Sequence, residues 1–173
     1  MIDHVLAETI KDLIDTSKSS LVTGLYAQGQ ACEIKQLTLS PITPPTEFYY
    51  VSVNIADAEE VKENNVDVVY YKVEIKLGEY AVMQPSDIQA FEEITQSFRE
   101  FGNRVVKLIR EQTRFTHTET GTKFTVRIDG TSGKRIRKIN REVVEPLDNS
   151  FQSMLASVIQ FEVMQRCGLN EGL

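Results

Sequence analysis

The clearest hydrophobic pattern lies in residues 66–77, where apolar and polar side chains alternate along the chain. The apolar set on one side is Val69, Tyr71, Val73, Ile75 and Leu77. Successive side chains of a β-strand point to opposite faces of the sheet, so a period of two predicts a half-buried strand.

A long amphipathic helix is predicted over residues 87–112, after the segment GEYAVMQP. Its apolar positions recur every three or four residues and form one stripe, which consists of Ile88, Phe91, Ile94, Phe98, Phe101, Val105, Leu108 and Ile109. Ser86 is placed to cap the helix, with Gln89 as its capping-box partner. Gly102 is unfavourable inside a helix, which predicts either a closely packed backbone or a bend or break there.

Other segments complete the pattern. Residues 2–15 predict a short N-terminal helix that ends at TSKSS, residues 16–20. Strands are predicted at 48–55 and 153–165, and a hairpin at 114–129.

Four segments lack a clear period. Residues 21–39 suit short strands or a hairpin, and the prolines of 40–46 indicate a loop. Residues 56–65 are predicted to be an acidic connection between antiparallel strands. Residues 130–150 are predicted to form an extended basic excursion that projects from the sheet.

These elements predict an α+β fold. We expect a mixed, largely antiparallel sheet with the long helix packed on one face and a short N-terminal helix. A chain of 173 residues has the size of one domain, so we expect residues 1–173 to form a single domain.

The composition indicates in which cellular environment the protein is found. Hydrophobic residues make up 41% of the chain and charged residues 25%, which is typical of a soluble globular protein. No apolar run has the length that a transmembrane helix needs, so no membrane association is expected. Cys32 and Cys167 do not suggest a disulfide framework, and we expect reduced thiols in a protein made in a cytoplasm.

No catalytic signature is apparent. The two histidines, His4 and His117, are most simply explained as solvated or hydrogen-bonded side chains. The chain has no phosphate-binding glycine loop, no paired-cysteine zinc motif and no nucleophile elbow. We therefore predict no catalytic, cofactor-binding or metal-binding residues, and a protein that is not an enzyme.

Two charged segments are the candidate partner-binding residues. The basic segment comprises Lys134, Arg135, Ile136, Arg137, Lys138 and Arg141, and the acidic segment comprises Asp57, Glu59, Glu60 and Glu63. A net charge of −6 disfavours nucleic-acid binding by the whole surface. Ile136 and Ile139 interleave with the basic residues, which favours a protein partner over DNA phosphates.

The order of elements resembles the tail terminator proteins of long-tailed bacteriophages, the family of the lambda minor tail protein U. MIDHVLAETIKDLID is similar to the N-terminal helix of that family, and FYYVSVNI to its first long strand. VVYYKVEIKLGEYA is similar to the long strand that ends in an excursion before the next helix, SDIQAFEEITQSFREFGNRVVKLI to the helix across the sheet, and SVIQFEVM to the closing strand. About half of the chain carries the resemblance, without a diagnostic motif.

The resemblance implies a non-enzymatic structural protein of a phage virion, made in the host cytoplasm. Its copies would form a homohexameric ring that caps the tail tube and joins it to the head connector. The tail tube protein and the connector protein would be its partners, and DNA would be passing cargo only. The family has no catalytic residues to transfer.

Two other functions remain open from the sequence. A small ligand-binding or enzymatic α+β domain would require a pocket with convergent polar groups. A nucleic-acid-associated protein using residues 134–141 would show binding that weakens steeply as salt is added.

Overall fold

A mixed β-sheet forms the centre of the fold, and helices pack against one of its faces. The computed structural model describes residues 2–27, 29–39, 49–83, 88–127, 136–147 and 150–167. The described helices are α1 (Ile2–Val22) and α2 (Ile88–Arg110). The described strands are β1 (Tyr26–Ala27), β2 (Gln30–Ala31), β3 (Gln36–Thr38), β4 (Tyr50–Glu63), β5 (Val66–Met83), β6 (Arg114–Thr116), β7 (Lys123–Arg127), β8 (Arg137–Leu147) and β9 (Ser150–Cys167).

The sheet confirms the predicted α+β class and its largely antiparallel pairing. Its order is β3–β4–β5–β9–β7–β6, and β8 also pairs with β9. Only β3 and β4 pair in parallel, whereas every other described pair is antiparallel. The central strand β9 pairs with β5 on one side, and shares its other side between β8 and β7.

The β4–β5 hairpin is longer than the sequence predicts. The two strands are antiparallel as expected, but the predicted acidic connection at 56–65 is wrong, because β4 continues to Glu63. Asn64 and Asn65 alone form the turn, with φ values of 49° and 65°. Both values lie in the left-handed region that two-residue hairpin turns require and asparagine tolerates.

The helices and the inward face of the sheet enclose one hydrophobic core. Phe98 and Phe101 of α2 are buried as predicted, and Phe91 is half-buried. The Tyr49 ring stacks on that of Phe101 with centroids 4.4 Å apart, and its centroid is 5.9 Å from that of Phe98. The prediction that the helix stripe covers the sheet is therefore confirmed.

The first helix continues past its predicted end. Residues 16–20 were expected to stop it, but α1 reaches Val22. The hydroxyl of Thr16 donates to the carbonyl of Asp12 at 2.7 Å, and the hydroxyl of Ser20 donates to that of Ser17 at 2.8 Å, so both are satisfied within the helix. Arg104 of α2 then donates from Nη1 to the carbonyl of Thr23 at 2.7 Å, which caps the end of α1.

The predicted excursion over 130–150 is wrong for residues 137–147, which form β8 within the sheet. Its register runs from Arg137 opposite Gln160 to Leu147 opposite Ser150. Ser157 Oγ donates to Asn140 Oδ1 at 2.6 Å, which fixes this register. Residues 128–135 lie outside the described part of the chain, as do the predicted loop at 40–46 and the predicted Ser86 cap.

Gly102 does not interrupt α2. A Cβ built on it would lie 3.4 Å from Cδ and Nζ of Lys138 and 3.7 Å from Cδ1 of Leu77. Its nearest neighbours are therefore side chains, and the predicted close backbone contact is wrong. The predicted hairpin at 114–129 is confirmed by the pairing of β6 with β7, and short strands within 21–39 are confirmed by β1, β2 and β3.

Candidate partner-binding surfaces

The acidic segment lies on the outer half of β4, beyond a β-bulge. Pairing with β5 shifts between Ile55 and Asp57, so Ala56 has no partner. Before the bulge, Val51 and Val53 point into the core. Before the bulge the odd-numbered residues of β4 face the helices. The bulge adds one residue, so after it the even-numbered residues face the helices and the odd-numbered ones face the other way. Asp57, Glu59 and Glu63 consequently share the sheet face opposite the helices, and Glu60 faces the other way.

All four acidic side chains are exposed. Asp57 Oδ2 forms an ion pair with Lys72 Nζ of β5 at 3.3 Å. Glu63 accepts a hydrogen bond from the hydroxyl of Tyr70 across the hairpin. The bulge therefore keeps a dense group of carboxylates in solvent along one edge of the sheet.

The basic segment does not act as one unit. Lys134 and Arg135 lie outside the described residues. Ile136 packs against the core, and Lys138 lies across α2, where Nζ donates to Asn103 Oδ1 at 2.5 Å and to the carbonyl of Arg99 at 3.4 Å. Burial lowers the pKa of Lys138, and the positive charge of Arg99 lowers it further. Lys138 is thus a structural contact between β8 and α2.

Arg137, Ile139 and Arg141 remain available to a partner. All three are exposed, and Ile139 keeps 42% of its surface in solvent. They occupy alternate positions on β8, so they project from the sheet face opposite the helices. They share this face with Asp57, Glu59 and Glu63.

The fold does not bring the acidic and basic segments together. β5 and β9 lie between β4 and β8, so the strands are three spacings apart, about 14 Å at ~4.8 Å per strand. The acidic segment and the described residues of the basic segment therefore lie along opposite edges of the same sheet.

The inward face of β5 also holds a buried acidic residue that the sequence did not mark as a candidate. Glu79 of β5 is 2% exposed, and neither carboxylate oxygen has a hydrogen-bond partner among the described residues. Burial raises the pKa of Glu79 to about 8. Burial also raises the pKa of Tyr49 and of Cys32, and the negative charge of Glu79 adds to both shifts. The signal was present in the sequence, because Glu79 continues the inward set that ends at Leu77.

One cleft in the described part of the molecule lies between α1 and the β6–β7 hairpin. Its volume is ≈ 270 Å³, and its lining includes Asp12, Arg114 and His117. His117 Nδ1 accepts a hydrogen bond from the amide of Thr120 at 3.2 Å, and its Nε2 lies 3.8 Å from Glu8 Oε2. His4 Nε2 lies 3.0 Å from Glu8 Oε1. Both histidines are therefore partnered side chains, as the sequence predicts.

Among the described residues, no group of three or more His, Cys, Asp or Glu side chains could hold a metal ion. Cys32 and Cys167 are free thiols. Neither described helix is long and apolar enough to cross a membrane.

The fold therefore defines an α+β protein with oppositely charged strands along two edges of one sheet. No protein-family model matches the chain, and comparison with curated proteins finds no match.

Proposed function

We propose that the chain is a non-enzymatic structural protein of a phage virion: a ring-forming tail terminator or neck component. Its copies form a homohexameric ring that caps the tail tube and joins it to the head connector. The observation that carries the proposal is the arrangement of α1 and α2 on one face of a sheet dominated by long antiparallel strands. That is the arrangement implied by the resemblance to tail terminators.

The charge distribution supports a protein that binds other proteins. Apart from Glu60, the exposed acidic and basic groups of the described segments lie on the sheet face opposite the helices, where a neighbouring subunit, the tail tube protein or the connector protein can reach them. DNA enters this role as passing cargo, since the chain carries a net charge of −6 and long-range repulsion disfavours retention of DNA.

The nucleic-acid alternative loses support from the position of Lys138. Its ammonium group bonds to Asn103 and to the carbonyl of Arg99, so it is directed at α2. Arg137 and Arg141 remain as exposed cations in the described part of the basic segment. Two separated arginines are a small footprint for phosphate contacts.

Immunogold electron microscopy of virions of the encoding phage tests the proposal. We expect gold label at the junction between head and tail, and tails that fail to join heads when the gene is inactivated. Expression of the parent chain in trans should restore joining. Label along the whole tail, label on the capsid, or normal virions without the gene would contradict the proposed role.

A further inference from the structure

Two edges of the sheet have no partner strand among the described residues. Among the described residues β3 pairs with β4 only at Tyr50–Ser52, so no described strand pairs with the outer edge of β4 from Val53 to Glu63. β8 pairs with β9 on one side, and no described strand pairs with its other side. Unpaired amide and carbonyl groups along such an edge can extend the ladder to a strand of another chain.

The open edges carry opposite charge. β4 presents Asp57, Glu59, Glu60 and Glu63 against a single cation, Lys62. The first half of β8 presents exposed Arg137 and Arg141, while its second half contains Glu142 and Glu145. The complementary pair is therefore the outer half of β4 and residues 137–141.

We propose that the open β4 edge of one copy pairs with the open β8 edge of the next, so that the sheet continues from subunit to subunit. The inference rests on the ring assembly proposed above and names the surface that builds it. The occupant of each edge is a second copy of this chain, selected by charge.

Charge favours this contact over the symmetric ones. Pairing of two β4 edges would set Glu59 and Glu60 against the same carboxylates of the other copy, and pairing of two β8 edges would do the same with Arg137 and Arg141. Like charges across an interface are strongly unfavourable, so both symmetric dimers are opposed. The remaining contact is head-to-tail, which generates either a closed ring or a filament.

β3 determines how the edges meet. Following the paired residues across β5 and β9, Tyr50 of β4 lies at the same height along the strands as Arg141 of β8. Ser52 likewise lies at the same height as Ile139. β3 already occupies the β4 edge at these positions, so an incoming β8 must slide toward the hairpin tip. A slide of about nine residues, ~30 Å at ~3.3 Å per residue, clears β3 along the whole of β8 and brings Arg137 beside Glu63 and Arg141 beside Glu59.

The direction of the strands suits the same joint. β4 is parallel to β9 through β5, and β8 is antiparallel to β9, so β4 and β8 run in opposite directions. If the ring axis runs along the strands, rotation from one copy to the next leaves the strand directions unchanged. β4 of one copy and β8 of the next therefore also run in opposite directions and form an antiparallel ladder. A stagger between tilted strands is also what closes a sheet into a barrel.

Charge reversal tests the joint. One variant reverses the β4 edge by Glu59→Lys and Glu60→Lys, and a second reverses the β8 edge by Arg137→Glu and Arg141→Glu. These four side chains are exposed, so the folded monomer should survive, which circular dichroism and thermal unfolding check. A matched control reverses two exposed carboxylates away from both edges, by Glu92→Lys and Glu119→Lys.

Sedimentation velocity at about 0.1 M salt, where surface charges are only partly screened, measures assembly. We expect the parent and the control to assemble, and each edge variant to need at least about tenfold more protein, which corresponds to ~1.4 kcal/mol. The two edge variants mixed in equal amounts should assemble again as alternating rings, because each then meets an opposite charge. One chain with all four substitutions should also assemble alone.

Several results would overturn the joint. They are a parent that stays monomeric at high concentration, edge variants that assemble like the parent, and folded edge variants that neither mixing nor the fourfold substitution rescues. Virion labelling reports separately on the proposed function. Label at the head–tail junction together with charge-insensitive assembly would remove this joint and leave the function standing, whereas rescued assembly without label would do the reverse.

Discussion

Glu79 is a residue whose chemistry is set by its position in the strand. It follows Leu77 on the inward face of β5 and is 2% exposed. Its carboxylate has no hydrogen-bond partner in the described part of the chain and loses its hydration on burial, so the neutral form is favoured and the pKa rises to about 8. The protein therefore holds an acidic residue as a neutral acid at physiological pH.

We predict that Glu79 makes the fold less stable as pH rises. Its pKa is about 8 in the folded chain and near the usual 4.5 when unfolded. Between pH 4.5 and pH 8 the Glu79 carboxyl holds a proton in the folded state but not in the unfolded state. The stabilisation of the fold by this proton is therefore complete below pH 4.5 and is lost as the pH rises to about 8. Glu79→Gln should remove a slope of up to ~1.4 kcal/mol per pH unit in that window, measured by urea unfolding.

The matched control is Glu92→Gln, an exposed carboxylate on α2. It should leave the pH dependence of unfolding unchanged. A Glu79→Gln variant whose stability falls with pH as steeply as that of the parent would show that Glu79 is ionised in the fold.

The alternation of apolar and polar residues along the strands predicted which side chains are buried for most of the core. The inward set from Tyr71 to Leu77 is buried as expected, and so are Leu155, Ile159 and Val163 of β9. The pattern did not predict the role of Glu79, because a polar residue in an inward position normally marks the end of a strand. Its surroundings depend on long-range contacts, because Glu79 lies near Cys32 and Tyr49, whose pKa values its charge raises.

At the scale of elements, helices and half-buried strands were predictable, and exposed strands were not. β4 beyond Ile55 is exposed on both faces, so its residues lack an apolar period and resemble a connection. The two asparagines at 64–65 were the available signal for a tight turn. β8 was concealed by its charge and by Pro146, which an edge strand tolerates because one side of its backbone needs no partner.

The space around Gly102 in α2 can accept a small side chain. A methyl group there would contact the end of the flexible Lys138 side chain at 3.4 Å and Leu77 at 3.7 Å, so it fits without backbone movement. Alanine also favours the helical conformation over glycine by up to about 1 kcal/mol. Gly102→Ala should therefore raise the free energy of unfolding by about 0.5–1 kcal/mol, measured by urea unfolding.

Gly102→Leu is the matched comparison, because it has the same helical preference but a side chain too large for the space between α2 and β8. It should be less stable than the parent, since overpacking a closed contact usually costs ~1–3 kcal/mol. Equal stability of the alanine and leucine variants would show that β8 does not press against α2 at Gly102.

At the scale of the whole molecule, the separation of charge matters more than its total. The sequence predicted both charged segments, but not that the two intervening strands β5 and β9 would place them along opposite edges of one sheet. That arrangement follows from long-range pairing of β5 with β9, which local patterns do not encode. Their separation keeps the two segments from forming ion pairs with each other.

Ring closure distinguishes a ring of copies from a filament built with the same joint. A head-to-tail joint uses one β4 edge and one β8 edge per copy, so an open chain of copies always retains one free edge of each kind. Closing the ring adds a joint without bringing in another copy, so intermediates should be scarce. Native mass spectrometry across a concentration series should find the monomer and one large species of fixed size, which we expect to be the hexamer. The fraction of that species should fall as salt is raised, because the joint pairs exposed charges. A distribution that lengthens continuously with concentration would indicate a filament, which would keep the edge contact but contradict a ring at the end of the tail.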